Sequence, residues 1–310
     1  MQVKPGRDAA RANRRRTFGA ATLAAALAAA GAVQAQHLVV VSSDEAPPYQ
    51  QALAGIQKIT GITVEAQLLD PDVQSTPPGA FARLGRDTAV VALGTRASEL
   101  VARAGSSSPL VSCLVLSPDT ERGAPNAQVV SIDVPIDVQI ESLRTFLPQA
   151  RTIGILFDPA INAKRVDAIA SALAGAGYQT RLAPVTSHAM LPQALANLPN
   201  AVDAILAIPD TTVYTQQASK ALLLFSFRNR IPLIGLTEAW VKAGALYAVE
   251  WDYEELGAYC GALALRSLAS SRAPLPPLPR PRIAINLRSA EQLQIKWNMS
   301  LLRDVDRSFE

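Results

Sequence analysis

Small polar or acidic residues stand just after short apolar runs at five places in the chain. Ser42, Ser43 and Asp44 follow HLVVV, with Tyr49 a few residues on. Gly94 and Thr95 follow TAVVAL, and Asp158 and Asn162 follow TIGILF. Asp210 and Thr211 follow AILAIP, and Thr237 and Glu238 follow IPLIGL. Apolar runs of this length with no polar alternation read as strands of a sheet covered on both faces. In such sheets a ligand lies in the crevice beyond the carboxyl ends of the strands. The residue types suit recognition there. Backbone N–H groups at a helix start such as Gly94-Thr95 hold a carboxylate or another anion. A carboxylate at Asp210 attracts a cationic or hydroxylated ligand. Singly, each of these residues also reads as a cap or turn residue. Asp210 carries both readings, because a helix is expected from about residue 212 to 227. Tyr49, Phe157, Tyr214, Trp240 and Trp251 lie near strand ends, where they stack on a flat ligand or pack into the core.

The chemistry of bond making is much less visible. The two histidines, His37 and His188, have no nucleophile motif beside them. There is no Gly-x-Ser-x-Gly elbow, no His-Glu-x-x-His helix and no phosphate loop ending in Gly-Lys-Ser/Thr. Gly175-Ala176-Gly177 follows a helix rather than a strand, so it reads as a helix end and not as half a dinucleotide motif. No catalytic residue, metal site or cofactor is expected. Cys113 in VSCLVL and Cys260 in GAYCGALAL lack metal-ligand spacing. Isolated buried thiols are the preferred reading for them, with a disulfide the alternative in an oxidising compartment.

The elements that must position these residues alternate along the chain. Strands are expected at HLVVVSS, ITVEAQLL, TAVVALGT, PLVSCLVL and QVVSIDV, with helices over about 48–59 and 96–104. A turn is expected over 70–79, with a short helix near 81–84. The rhythm restarts with helices over 138–147, 163–174, 190–198, 212–227 and 253–268 and strands between them. A linker with five prolines covers 272–281, and a late strand RIAINL precedes a last helical turn. Strand–helix repetition with apolar strands is the signature of α/β units with parallel sheets. Two such units in 310 residues suggest two lobes sharing one cleft.

The amino end belongs to neither lobe. Arg7, Arg11, Arg14, Arg15 and Arg16 precede an apolar run over 20–33, and Val33-Gln34-Ala35 offers small residues for cleavage before Gln36. This is the pattern of an export signal over residues 1–35, by the Sec or the twin-arginine route. The segment carries six of the 29 basic and one of the 26 acidic residues, so the remainder has 23 basic and 25 acidic residues. A net charge of −2 gives no reason to expect nucleic acid as a partner. No later stretch is apolar for long enough to cross a membrane, so a periplasmic product without stable membrane insertion is expected.

Five segments in order carry a more specific likeness: VVALGTRASEL, LPQARTIGILFDPAINAKRV, AVDAILAIPDTTVY, IPLIGLTEAWVKAGALYAVEWDYEELGAYCGALAL and RIAINLRSAEQLQI. Through them the chain resembles the ABC-transporter substrate-binding protein family of the TrpX type, with the type I periplasmic binding protein fold. The likeness covers most of 88–295 and, before it, SSDEAPPYQ; 117–126 departs from the family pattern. It implies two Rossmann-like lobes joined by a three-crossing hinge. Lobe 1 would be residues 36–134 plus about 254–280, and lobe 2 residues 135–253 plus about 281–310. The crossings would lie near 132–136, 248–253 and 281–286. The resemblance implies ligand contacts at Gly94, Thr95, Asn162 and Asp210, to which the strand-end argument adds Ser43, Tyr49, Thr211 and Glu238. It implies capture of a small molecule, with an amino acid preferred, for an ABC permease in the inner membrane. A sensing or accessory module of the same fold without a transporter is the alternative, and an exported enzyme a third.

The export reading predicts that mass spectrometry of periplasmic protein finds Gln36 as the amino terminus. Intact Met1 on a soluble cytoplasmic species would contradict it.

Overall fold

The computed structural model describes residues 37–61, 64–70, 81, 84–85, 87–105, 107–116, 127–269, 274–297 and 299–310. The expected export segment, most of the turn over 70–79, part of the short helix near 81–84 and the segment 117–126 lie outside the described residues.

The first lobe is a parallel sheet in the order β2-β1-β3-β4-β5, formed by His37–Ser42 (β1), Val64–Leu68 (β2), Thr88–Leu93 (β3), Leu110–Val115 (β4) and Ala127–Ser131 (β5). Strands β3 and β4 are buried along their whole length, as their unbroken apolar runs require. Alternate residues serve the two faces. Val39, Val41, Val90 and Ala92 pack with helix α2 (Thr95–Arg103). Leu38, Val40, Ala89 and Val91 pack on the other face with helix α1 (Pro47–Thr60) and with helix α8 (Tyr253–Leu268), which comes from far along the chain. The two helices approach until side chains no longer fit. A Cβ on Gly55 would lie 1.9 Å from Glu254 O, and one on Gly257 would lie 2.0 Å from Ala52 O. Glycine at both positions is therefore a packing requirement.

Cys113 and Cys260 form a disulfide between β4 and α8, which corrects the expectation of isolated thiols. Both residues are fully buried. Sequence could not show this, because the partners are 147 residues apart and meet only through the return of α8 to the first lobe. Just after Cys113 the ladder shifts by a bulge, and buried Leu114 takes a left-handed φ of 58°.

The second lobe holds Thr152–Phe157 (β6), Gln179–Pro184 (β7), Ala204–Leu206 (β8), Leu233–Gly235 (β9), Tyr247–Glu250 (β10), Arg282–Asn286 (β11) and Arg307–Phe309 (β12), in the order β12-β11-β10-β9-β8-β6-β7. Helices α3 (Ile136–Phe146), α4 (Pro159–Gly175), α5 (Leu191–Ala196), α6 (Gln216–Asn229), α7 (Glu238–Lys242) and α9 (Leu287–Gln292) accompany them. All pairings are parallel except β10 with β11. Strand β11 re-enters from the proline-rich segment instead of through a helical crossover, so nothing constrains it to run parallel. Strand β12 and the 3-10 turn Met299–Asp304 have no counterpart in the expected elements. Strand β12 has only three residues, too few for a period to show.

Two helix starts differ from expectation. Helix α4 begins at Pro159 rather than near 163, because Asp158 caps it through Ala160 N–H at 2.9 Å and proline is at home in the first turn. Helix α6 begins at Gln216 rather than 212, and its cap is Thr215, which accepts from Ala218 N–H at 3.1 Å.

The chain passes between the lobes after β5, after β10 and before β11. The crossings are laced together. Trp251 Nε1–H donates to Ile132 O at 3.0 Å. Arg282 pairs with Asp252 and, at 3.0 Å, with Glu255.

The disulfide closes a long loop in the unfolded chain. Replacing both cysteines by alanine should cost about 2–5 kcal/mol, read as a lower guanidinium midpoint. An unchanged midpoint would show that lobe 1 does not depend on the bond.

Candidate functional site

The polar rim of lobe 1 forms where β1 and β3 end. Gly94, with φ at 89°, turns the chain from β3 into α2. A Cβ there would lie 2.7 Å from Ser43 Oγ and 2.9 Å from Tyr49 Cε1, so Ser43, Tyr49 and Gly94 are in contact and only glycine fits. Ser43 Oγ accepts from Ala97 N–H at 2.9 Å, and Gly94 N–H donates to Cys113 O at 2.7 Å. The Gly94 amide, expected to face an anion, is thus already paired inside the protein, as is the Ala97 amide in the first turn of α2. Thr95 Oγ1 accepts from Leu116 N–H at 3.4 Å. Burial raises the Tyr49 phenol above its ordinary value, and the charge of Asp44 adds to the effect.

The rim of lobe 2 is organised by Asp210, which is 7% exposed. Its Oδ1 accepts from Thr212 N–H and Val213 N–H, both at 2.9 Å. Its Oδ2 accepts from Asp158 N–H and from Asn162 Nδ2, both at 2.8 Å. A carboxylate offers about four lone-pair sites, and here all are in use. Asp210 therefore neither caps α6 nor stands open to solvent. It caps the turn before α6 and ties that turn to the end of β6 and the start of α4. Thr212 Oγ1 completes the joint by donating to Asp158 Oδ2 at 2.8 Å. Thr211 is exposed, and its neighbour Thr212 is the threonine that joins the network.

Asn162, 2% exposed, passes this order on. Its amide donates to Pro209 O at 3.1 Å as well as to Asp210. Its Oδ1 accepts from Arg165 Nη1 at 2.7 Å. Arg165 was absent from the candidates read from sequence, although it lies three residues after Asn162, where helical spacing puts both side chains on one face. Its guanidinium also donates to Pro209 O at 3.3 Å, to Leu116 O, and to Asp133 Oδ2 at 2.8 Å. Burial raises the Asp133 carboxyl, and the Arg165 charge and hydrogen bond oppose that rise.

Glu238 belongs to a different part of lobe 2. It opens α7, its N–H donates to Glu250 Oε1 at 2.6 Å, and its carboxylate pairs with Lys242 at 2.6 Å. Burial is the largest cause raising the Glu250 carboxyl. Tyr253 is pushed up to about 12 by burial, with smaller contributions from Glu250 and Tyr49. Glu250, Tyr253 and Tyr49 therefore lie within electrostatic reach of one another where β10 passes to α8.

The other aromatic candidates pack inside. Phe157, Tyr214 and Trp251 are buried, and Trp240 meets Tyr214 edge-on with ring centres 6.0 Å apart. Among the described residues no group of three or more His, Cys, Asp or Glu could hold a metal ion. None of the described helices is long and apolar enough to cross a membrane. What the two rims offer is a set of oriented donors and acceptors at the strand ends of each lobe.

The protein is a two-lobed α/β molecule with polar residues at the strand ends of each lobe. The chain belongs to the ABC transporter substrate binding protein family, whose model matches residues 84–308. It is 23% identical over 219 residues to the tyrosine-binding protein of Clostridioides difficile (strain R20291), across 67% of this chain and 63% of that protein. The fold matches a ligand-free, open structure of a Clostridium difficile substrate binding protein with adhesive properties, at TM-score 0.74 and 19% identity, over 89% of this chain and 100% of the other. It also matches the Streptococcus pneumonia ABC domain in complex with L-Trp, at TM-score 0.65 and 18% identity, over 88% and 99% of the two chains.

The bonding of Asp210 changes what its substitution should do. In Asp210→Asn one oxygen becomes an NH2 that must face two N–H donors. The variant should lose about 1–3 kcal/mol of stability, measured as a lower denaturation midpoint without ligand. An unchanged midpoint would mean that the four bonds contribute nothing.

Proposed function

We propose that the protein is exported to the periplasm, where it captures an amino acid between its lobes and delivers it to an ABC permease. The observation that carries this reading is the pairing of two polar rims at strand ends, one per lobe, joined across the seam through Arg165. Ser43, Tyr49, Gly94 and Thr95 would meet the ligand from lobe 1, and Asn162, Thr211 and Glu238 from lobe 2. Asp210 would hold Asn162 from behind, since its own oxygens are taken. The helix start at Thr95 favours a carboxylate. A ligand ammonium would be met by Glu238 or Glu250 rather than by Asp210. The amino acid class is supported by the named ligands of the tyrosine-binding relative and of the L-Trp complex. The three laced crossings fit a hinge that lets the lobes rotate as rigid bodies around the ligand.

A thermal-shift screen of the mature protein against the twenty amino acids tests this. At a concentration of about 100 times Kd, a true ligand stabilises the fold by about 2.7 kcal/mol, and an aromatic amino acid is expected to do so. A folded protein whose midpoint no amino acid moves at millimolar concentration would sink the amino acid assignment.

A further inference from the structure

Among the described residues, Arg165 of the site has a side chain that reaches both lobes. On the lobe 2 side it donates to Asn162 Oδ1 at 2.7 Å and Pro209 O at 3.3 Å. On the lobe 1 side it donates to Leu116 O, just past the end of β4, and to Asp133 Oδ2 at 2.8 Å. Asp133 is itself held to lobe 1. Its N–H donates to Ser131 Oγ at 3.0 Å, and the preceding Ile132 N–H donates to Val115 O at 3.0 Å. The four acceptors are therefore two fixed points on each lobe, and a planar fork of donors spans them. The bulge at Leu114 belongs to the same construction, because it sits between Cys113, whose carbonyl holds Gly94, and Leu116, whose carbonyl meets Arg165. Buried strain of this kind persists only where the surroundings impose it, and it clusters at functional sites. With a side-chain exposure of 19%, Arg165 is partly shielded from water, where a charge-assisted bond is stronger than at the surface.

We propose that Arg165 is a positioning residue: a tie that sets the spacing of the ligand-free lobes and orients the Asn162 amide, so that the capture site exists before ligand arrives. The proposal rests on the substrate-binding reading for its purpose but not for its test, because the tie acts without ligand. A site whose competent geometry is already populated binds with less loss of affinity than one that must be assembled. Lysine cannot replace the tie, since a single ammonium is a point charge and cannot span four acceptors on two lobes as a guanidinium does.

The test is a pulsed spin-label distance measurement on the ligand-free, oxidised protein, with labels at Gln67→Cys on β2 and Arg181→Cys on β7, both exposed positions on opposite lobes. The parent should give one narrow inter-lobe distance. Arg165→Gln and Asp133→Asn should each broaden or shift it, and the double variant should add little to Arg165→Gln, because both remove the same bridge. Arg165→Lys should fail to restore the parent distribution. Hydrogen exchange in the first turn of α4 should quicken about tenfold or more in Arg165→Gln, the equivalent of losing one charge-assisted bond. Asp133→Asn leaves every lobe 2 contact of Arg165 intact, so it keeps the test usable if Arg165→Gln folds poorly. An unchanged distance distribution in Asp133→Asn and Arg165→Gln, or full rescue by Arg165→Lys, would overturn the proposal. Loss of amino acid binding in the screen would leave these distances unaffected and would count only against the ligand assignment.

Discussion

The buried carboxylate of Asp210 fixes the geometry of lobe 2 at the seam. An ionised carboxylate out of water is costly unless its lone pairs are filled, and four N–H donors from three chain segments fill them. Those segments are the end of β6, the first turn of α4 and the turn before α6. Their mutual positions are thus set by one charge, with little freedom for any one to move alone. The strand ends of an α/β sheet are where loops carry function, and here the loops are joined to each other before any ligand is considered.

Lobe 1 reaches comparable order by another route. Its sheet is completed by a helix that belongs, by chain order, after the second lobe. Close approach of Gly55 and Gly257 lets α8 lie against α1, and the buried disulfide fastens α8 to β4. Cys113 then holds the Gly94 amide through its carbonyl. The covalent link and the Gly94 turn of the lobe 1 rim are therefore one hydrogen bond apart. Rigidity in lobe 1 comes from packing and a cross-link, and in lobe 2 from a polar network. In the proposed function a hinge between them would turn while each lobe keeps its own half of the site.

Much of this was legible in the order of residues. Unbroken apolar runs marked β3 and β4, and the Pro and Gly breaks marked the turns around them. Helix α8 lies at Tyr253–Leu268 as expected, and the structure shows Asp252 capping it ahead of an acidic first turn. What sequence hid was every fact that needs two distant segments at once. Asp210 read as a local cap or as a carboxylate for a ligand, because two of its four partners lie 48 and 52 residues away and neither shows locally. Arg165 was not among the candidates, because its lobe 1 acceptors, Leu116 O and Asp133, cannot be seen from the helix itself. The disulfide was missed for the same reason. The antiparallel entry of β11 was missed because an apolar strand carries no mark of its direction.

In the proposed site, the linked bonds of Asp210, Asn162 and Arg165 would also constrain which ligand the seam can accept. Asn162 Nδ2 and both Nη groups of Arg165 have protein acceptors in the ligand-free state. A molecule that enters and displaces one of those acceptors must supply an acceptor of its own, because a buried donor left unpaired costs about 1–3 kcal/mol. An apolar molecule displacing an acceptor would strand the Asn162 amide or the Arg165 guanidinium. A ligand with a carboxylate can replace what it displaces. Discrimination of this kind comes from the penalty imposed on wrong ligands as much as from attraction to the right one. It requires the donors to be held in place beforehand, and the four bonds of Asp210 hold them.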